Sequence, residues 1–247
     1  MTSACLSAFL ASDPSEKCAA VAALAQLQPC SAVPLQPGRP LRPALVQPRE
    51  VPSRGLGSVE GRAALCHAVA HIEFNAINLA LDAGLRFAGM PEAYYADWLS
   101  VAQDEARHFL MMQQRLQQLG YAYGDFAAHN GLWEAAEKTA DDVMVRMACV
   151  PRVLEARGLD VTPNLIHRLR EVRDFDTIAV LEVILSEEVR HVEIGTRWFH
   201  HCCAERTLEP VATFRALLAA HKIILRPPFN HEARARAGFV PAELTGA

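Results

Sequence analysis

The feature that most limits how this chain can fold is a motif that occurs twice. Asp104-Glu105-Ala106-Arg107-His108 and Glu187-Glu188-Val189-Arg190-His191 share the order acid, Glu, any residue, Arg, His. In each copy a Glu and a His stand three residues apart, Glu105 with His108 and Glu188 with His191. On a helix that spacing puts both side chains on one face. The repeat extends backwards, because Glu73 precedes Glu105 by 32 residues and Glu155 precedes Glu188 by 33. If each half is a pair of antiparallel helices that turns midway, the lone Glu and the Glu-x-x-His pair arrive at the same height. Four helices would then direct four Glu and two His at one centre.

Carboxylates gathered in a helical core need compensation, since each buried ion costs several kcal/mol even after relaxation. Two divalent metal ions carry the charge that balances four Glu, and two neutral His add the remaining donors. Carboxylate and imidazole without thiolate suit iron or manganese. The expected ligands are therefore Glu73, Glu105, His108, Glu155, Glu188 and His191, and the expected cofactor is two iron ions, with manganese or a mixed manganese–iron pair as variants. Two lone Glu and two Glu-x-x-His pairs form the ligand set of ferritin-like dimetal bundles, which serves here as a template. Such a set leaves positions open for water or dioxygen. Asp104 and Glu187 are expected to accept the free ring N–H of the histidine on the opposite repeat, with Arg107 and Arg190 neutralising these outer acids.

The rest of the chain is read around this centre. With 247 residues and 51% hydrophobic content it can build one large domain with appendages. Three segments are expected: an N-terminal helix and Pro-rich arm packed on the bundle over 1–57, the four-helix bundle over 58–205, and a C-terminal helical extension over 206–247. Ser12-Asp13-Pro14 reads as a helix start, seven prolines from Pro29 to Pro52 mark an extended arm, and PGRPLRP at 37–43 can be neither helix nor central strand. Long helices are expected over about 58–87, 91–120 and 174–203, with a third bundle helix starting near Leu132. Pro151 should bend that helix, Gly158 to Thr162 should break it, and the chain should reverse between Arg170 and Asp174. A further helix is expected over 209–225, then a short one between Asn230 and Gly238. His67 and His71 fall off the Glu73 line and read as polar core or surface residues. Arg152, Arg157, Arg168, Arg170 and Arg173 form a basic cluster near the expected break, which reads as a solvated helix face or as a hold for an anionic substrate.

Composition narrows the partners. A net charge of −4 gives no global attraction to nucleic acid or anionic lipid, so tRNA is a disfavoured partner and no membrane is expected. Residues 1–11 lack the basic start of a signal peptide, and no uninterrupted apolar run approaches membrane-spanning length. Seven cysteines without a CxxC pair fit a reducing cytoplasm.

The segments PGRP, AHIEFNAINLALDA, DEARHF, LEARGLDVTP and GTRWF resemble a bacterial ferritin-like domain family of unknown function, domain of unknown function 455, over roughly residues 10 to 245. More broadly the doubled motif is similar to the ferritin-like di-iron superfamily. More distantly, LEAR and the two E-x-R-H segments are similar to tRNA-modifying di-iron hydroxylases, although EEVRH here departs from the SEARH form of those enzymes. The resemblance implies an all-α fold: a ferritin-like antiparallel four-helix bundle with a broken third helix, the Pro-rich N-terminal arm and extra C-terminal helices. It also implies the same six metal ligands. The activity expected is that of a non-haem di-iron oxygenase or hydroxylase that uses dioxygen and an electron donor to oxidise a small organic or nucleoside substrate, with a homodimer as one assembly open to it. The alternative is a ferritin- or rubrerythrin-like protein that handles iron or removes peroxide, though the chain lacks the four-cysteine iron site of a rubrerythrin.

Overall fold

The computed structural model describes residues 3–244. Its helices are α1 (Ala4–Leu10), α2 (Pro14–Ala22), α3 (Val59–Arg86), α4 (Glu92–Gln118), α5 (Gly131–Lys138), α6 (Val143–Cys149), α7 (Ala156–Glu171), α8 (Phe175–Glu205), α9 (Pro210–Ala220), α10 (His231–Arg236) and α11 (Pro241–Leu244). A π-helical segment, Val150–Glu155, joins α6 to α7. No strand occurs among the described residues, so the all-helical expectation holds. The chain divides into two compact units, Met1–Glu137 with Glu171–Val180, and Lys138–Arg170 with Leu181–Ala247.

In the first unit α3 and α4 form a helical hairpin. Ser58 caps α3 by accepting from the Gly61 N–H at 3.0 Å, and Gly89, at φ 81°, turns the chain before Pro91 caps α4. The conformation at Gly89 is one that a residue with a Cβ rarely adopts. By length and composition α3 could cross a bilayer, yet 72% of its apolar window is buried inside the protein. It carries the buried polar residues His67, Glu73, Asn75 and Asp82, which suit a core helix of a folded domain. The Pro-rich arm is tied along this unit: Cys30 N–H donates to Leu85 O at 2.8 Å, Trp133 Nε1 to Leu35 O at 3.0 Å, and Val46 N–H to Ala128 O at 2.9 Å. An isolated parallel bridge between Leu45 and Ala128 completes the attachment.

Asp174 anchors the reversal between α7 and α8 to the same unit. Its carboxylate pairs with Arg115 of α4 at 2.8 Å and with Arg62 of α3 at 3.1 Å, and it also accepts from the Thr177 N–H at 3.1 Å. The reversal therefore lies where the midpoint of Glu155 and Glu188 put it.

The structure differs from the expectations at four places. Residues 4–10 form α1, whose last carbonyls, Ala8 O and Phe9 O, are bound by the buried Lys17 ammonium at 3.0 and 2.7 Å. The third bundle helix is broken, but not between Gly158 and Thr162: the interruptions are the gap between α5 and α6 and the π-helical segment. Helix α7 runs unbroken through Pro163. A proline there deprives Leu159 O of its helical donor, and Asn230 Nδ2 from the tail supplies a replacement at 3.2 Å. Finally, α9 ends at Ala220, well before Pro227-Pro228, because the chain turns at Lys222 with φ 55°.

In the second unit the C-terminal helices are tied to the π-helical segment and α7. Arg234 pairs with Asp160 at 2.7 Å, and Arg152 with Glu243 at 2.7 Å, all four side chains being buried. Charged residues this far from water are tolerated because each has its counter-ion in hydrogen-bonding contact.

Candidate metal centre

Within the first unit, Glu73 from the middle of α3 meets Glu105 and His108 from α4. Their ligand atoms lie within 4.8 Å of one another. His108 Nδ1 is 3.3 Å from Glu73 Oε2 and 3.4 Å from Glu105 Oε2. All three residues are buried, Glu105 and His108 completely. The short loop of the α3–α4 hairpin sets the register that brings residue 73 level with 105 and 108, and the three-residue spacing within α4 does the rest.

The electrostatics of this cluster favour a cation. Burial works against charge on the His108 ring, but the Glu105 and Glu73 carboxylates outweigh it and push its pKa up to about 11. Two carboxylates in a dry site hold a proton on the imidazole when nothing more positive is present. A divalent ion would displace that proton, since the ligand form of histidine is neutral.

On the same two helices Phe74 packs on Phe109 with ring centroids 5.7 Å apart, and Phe109 meets Tyr123 edge-on at 5.0 Å. The two histidines off the Glu73 line are buried beside them. His67 stacks on Tyr123 at 5.3 Å, and His71 Nδ1 lies 2.8 Å from the Tyr123 hydroxyl. Burial lowers the pKa of each to about 4. They are polar core residues.

In the second unit Glu188 and His191 share a face of α8, with Glu188 Oε1 3.7 Å from His191 Nδ1. His191 is fully buried, while Glu155 and Glu188 keep some exposure. Glu155 is the last residue of the π-helical segment, an arrangement that often marks functional sites. Pro151 is the sequence signal for it, since a proline inside a helix upsets the hydrogen-bond ladder. Gly195 of α8 allows the segment to come close: a Cβ there would stand 2.4 Å from Pro151 Cβ and Cγ. Gly195→Ala is therefore expected to destabilise the protein by about 1–3 kcal/mol through overpacking. An unchanged denaturant midpoint would show that the segment gives way freely.

Of the outer residues, Asp104 pairs with Arg107 at 2.7 Å across one turn of α4. Glu187 and Arg190 lie on α8 in the second unit, partly exposed and exposed respectively. The expected arginine cluster does not form as one surface. Arg152 is buried against Glu243, Arg157 donates to Arg226 O at 2.8 Å, and Arg170 lies 4.0 Å from Glu182.

With this geometry in hand, comparison with known proteins places the chain. The family described as "Protein of unknown function (DUF455)" matches residues 10–245. The chain belongs to the DUF455 family. A relative from Haemophilus influenzae (strain ATCC 51907 / DSM 11121 / KW20 / Rd), named "Uncharacterized protein", is 47% identical over 213 residues, covering 83% of this chain and 74% of its own length. No solved structure matches the chain. The DUF455 match spans every residue of the doubled motif and its two upstream glutamates.

Proposed function

We propose that this DUF455 protein is a non-haem dinuclear metal protein, with Glu73, Glu105, His108, Glu155, Glu188 and His191 holding two iron ions in a ferritin-like four-helix arrangement, and that it acts as an oxygenase or hydroxylase on a small organic or nucleoside substrate. The observation that carries this reading is the buried Glu73, Glu105 and His108 cluster, whose ligand atoms lie within 4.8 Å of one another. The donor set fits the group: carboxylate and imidazole without thiolate suit iron or manganese, and buried carboxylates need a compensating cation. Glu155, Glu188 and His191 repeat that set, and with them the charges of two divalent ions are balanced.

Bound iron would supply the electrons that dioxygen needs before it can attack an organic substrate, with a separate donor to restore them. The chain's residues hold the ions and control their surroundings. Glu73 and Glu105 would provide anionic oxygens, and the neutral ring of His108 would provide a nitrogen donor. The partial exposure of Glu155 and Glu188 leaves a way in for substrate. Asp104 and Glu187 are proposed to orient the histidine rings, with Arg107 and Arg190 beside them. All seven cysteines are free thiols, which suits a reducing compartment.

The test is elemental mass spectrometry of freshly purified protein beside a Glu105→Ala, Glu188→Ala double variant. About two iron or manganese ions per chain, lost in the variant, are expected, followed by substrate-dependent oxygen consumption. A protein that takes up no transition metal after anaerobic iron reconstitution would overturn the reading. Many irons per chain would move it to the ferritin-like alternative.

A further inference from the structure

We propose that the Pro-rich arm roofs a second binding site, separate from the metal ligands, which takes a small organic monocarboxylate with an apolar or aromatic body. The geometry lies wholly in the first unit. A cavity of about 350 Å³ opens between arm residues 39–45 and the face of α3 that carries His71, Phe74 and Asn75, with Tyr123 at its side. Its walls are largely apolar, formed by Pro43, Leu45, Phe74 and their neighbours, and no Asp or Glu lines it. Size and lining are those of a small-molecule pocket, where a few placed polar groups set orientation.

The polar group that sets the ligand class is Arg39. Its Nη1 donates to Asn130 Oδ1 at 2.9 Å, and its Nη2 is buried with no hydrogen-bond partner. Arg39 is half-buried, and it lacks the contact counter-ion that the buried arginines have: Arg115 has Asp174, Arg152 has Glu243 and Arg234 has Asp160. Among the described residues Arg39 has no carboxylate within ion-pairing distance; Glu137 acts on it only at longer range, its Nη1 is bound to a neutral amide, and the residue lines the cavity. A guanidinium beside an apolar cavity, without a counter-ion in contact, can make a charge-assisted hydrogen bond to an entering carboxylate.

The other polar groups on the wall are already engaged. His71 Nε2 lies 3.2 Å from His129 O, which can only accept, so that nitrogen carries the proton and Nδ1 accepts from the Tyr123 hydroxyl at 2.8 Å. Asn75 Nδ2 donates to His71 O at 2.8 Å. The wall histidine is thus neutral, and Arg39 is the one lining residue with a fixed charge. One cation in an apolar pocket selects a monoanion over a dianion or a neutral molecule.

The roof is held in place before any ligand arrives. Gly38 N–H donates to Phe9 O at 2.9 Å, just before Arg39, and Ala128 N–H donates to Ala44 O at 3.0 Å at the other end. A pocket fixed at both ends loses little further entropy on binding.

The site is tested in the full-length protein as purified, with folding checked in every variant, and ligand binding is read separately from metal content, so that the result stands whatever becomes of the dinuclear reading. Phenylacetate, titrated calorimetrically, is expected to bind saturably. Its neutral isostere phenylacetamide and the Arg39→Gln variant with phenylacetate should each show at least about tenfold weaker binding, the loss of a charge-assisted hydrogen bond. Arg39→Lys, which keeps the charge, should restore part of that loss. In crystals soaked with 4-bromophenylacetate, bromine should appear in the cavity with the carboxylate on Arg39, a readout that needs no variant. Absence of saturable binding by phenylacetate, benzoate and hexanoate alike would overturn the proposal. So would undiminished affinity in folded Arg39→Gln, or bromine found only outside the cavity.

Discussion

Arg152→Ala is expected to destabilise the protein by about 3–5 kcal/mol, because it removes one partner of a buried ion pair and leaves the other charged and dry. Arg152 and Glu243 are both almost wholly buried and meet at 2.7 Å. The guanidinium also donates from Nε to Thr196 Oγ1 at 3.2 Å and sits 4.7, 4.2 and 4.5 Å from the ring centroids of Phe199, Phe214 and Phe239. In the variant, among the described residues, the Val240 N–H, 3.1 Å from Oε2, would remain as the hydrogen-bond donor to the Glu243 carboxylate. An Arg152→Met, Glu243→Leu double variant should recover most of the loss, since a well-packed apolar pair can replace a buried ion pair at little cost. Urea unfolding of the three proteins decides it. A loss below about 1 kcal/mol in Arg152→Ala would mean that water reaches Glu243 and that the tail is held by its apolar contacts alone.

That pair also shows what the sequence could and could not reveal. Helix ends are local chemistry, so Ser58, Asn230 and Gly238 could be read from residue type, and the structure has Ser58 and Asn230 as caps and Gly238 at φ 84°. The meeting of Glu73 with Glu105 and His108 was legible too, because a helical hairpin converts sequence spacing into height along the helix axis. Arg152 was not. Its place among a row of arginines suggested a solvated face, while its burial depends on Glu243, distant in sequence and brought near only by the tail.

The break expected between Gly158 and Thr162, next to Pro163, is absent for the same reason. A proline with a nearby glycine is a sound local signal for a helix break, but the Leu159 carbonyl that it frees is met by Asn230 from the tail at 3.2 Å. A long-range hydrogen bond therefore overrides a local preference. The π-helical segment lies between these cases: Pro151 signals a disturbance, but its kind depends on the close packing that Gly195 permits. Arg39 shows the limit most clearly, since a guanidinium in a proline-rich stretch gives no sign of whether a carboxylate will be near it.

The protein is expected to lose stability as pH falls from about 6.5 to about 4, with His67 supplying a separable part of the loss. Burial holds the His67 pKa down at about 4 against an ordinary value of 6.5, with Asp125 a smaller opposing influence. Geometry gives the same direction: His67 Nε2 accepts a hydrogen bond from the Gly124 N–H at 2.9 Å, which a proton on that nitrogen would abolish. In the unfolded chain the ring gains its proton near 6.5, while in the folded chain it stays neutral down to about 4. Below 6.5 the unfolded state thus binds more protons, and stability present above that pH is lost on acidification, by roughly 3 kcal/mol once pH reaches the folded pKa. Other groups, carboxylates included, titrate in the same window, so the comparison must be with a variant. His67→Gln keeps an oxygen able to accept from Gly124 but cannot titrate. The stability difference between wild type and His67→Gln should shift against the wild type as pH falls through this window, and a difference that stays constant would mean that the folded protein accommodates the His67 proton.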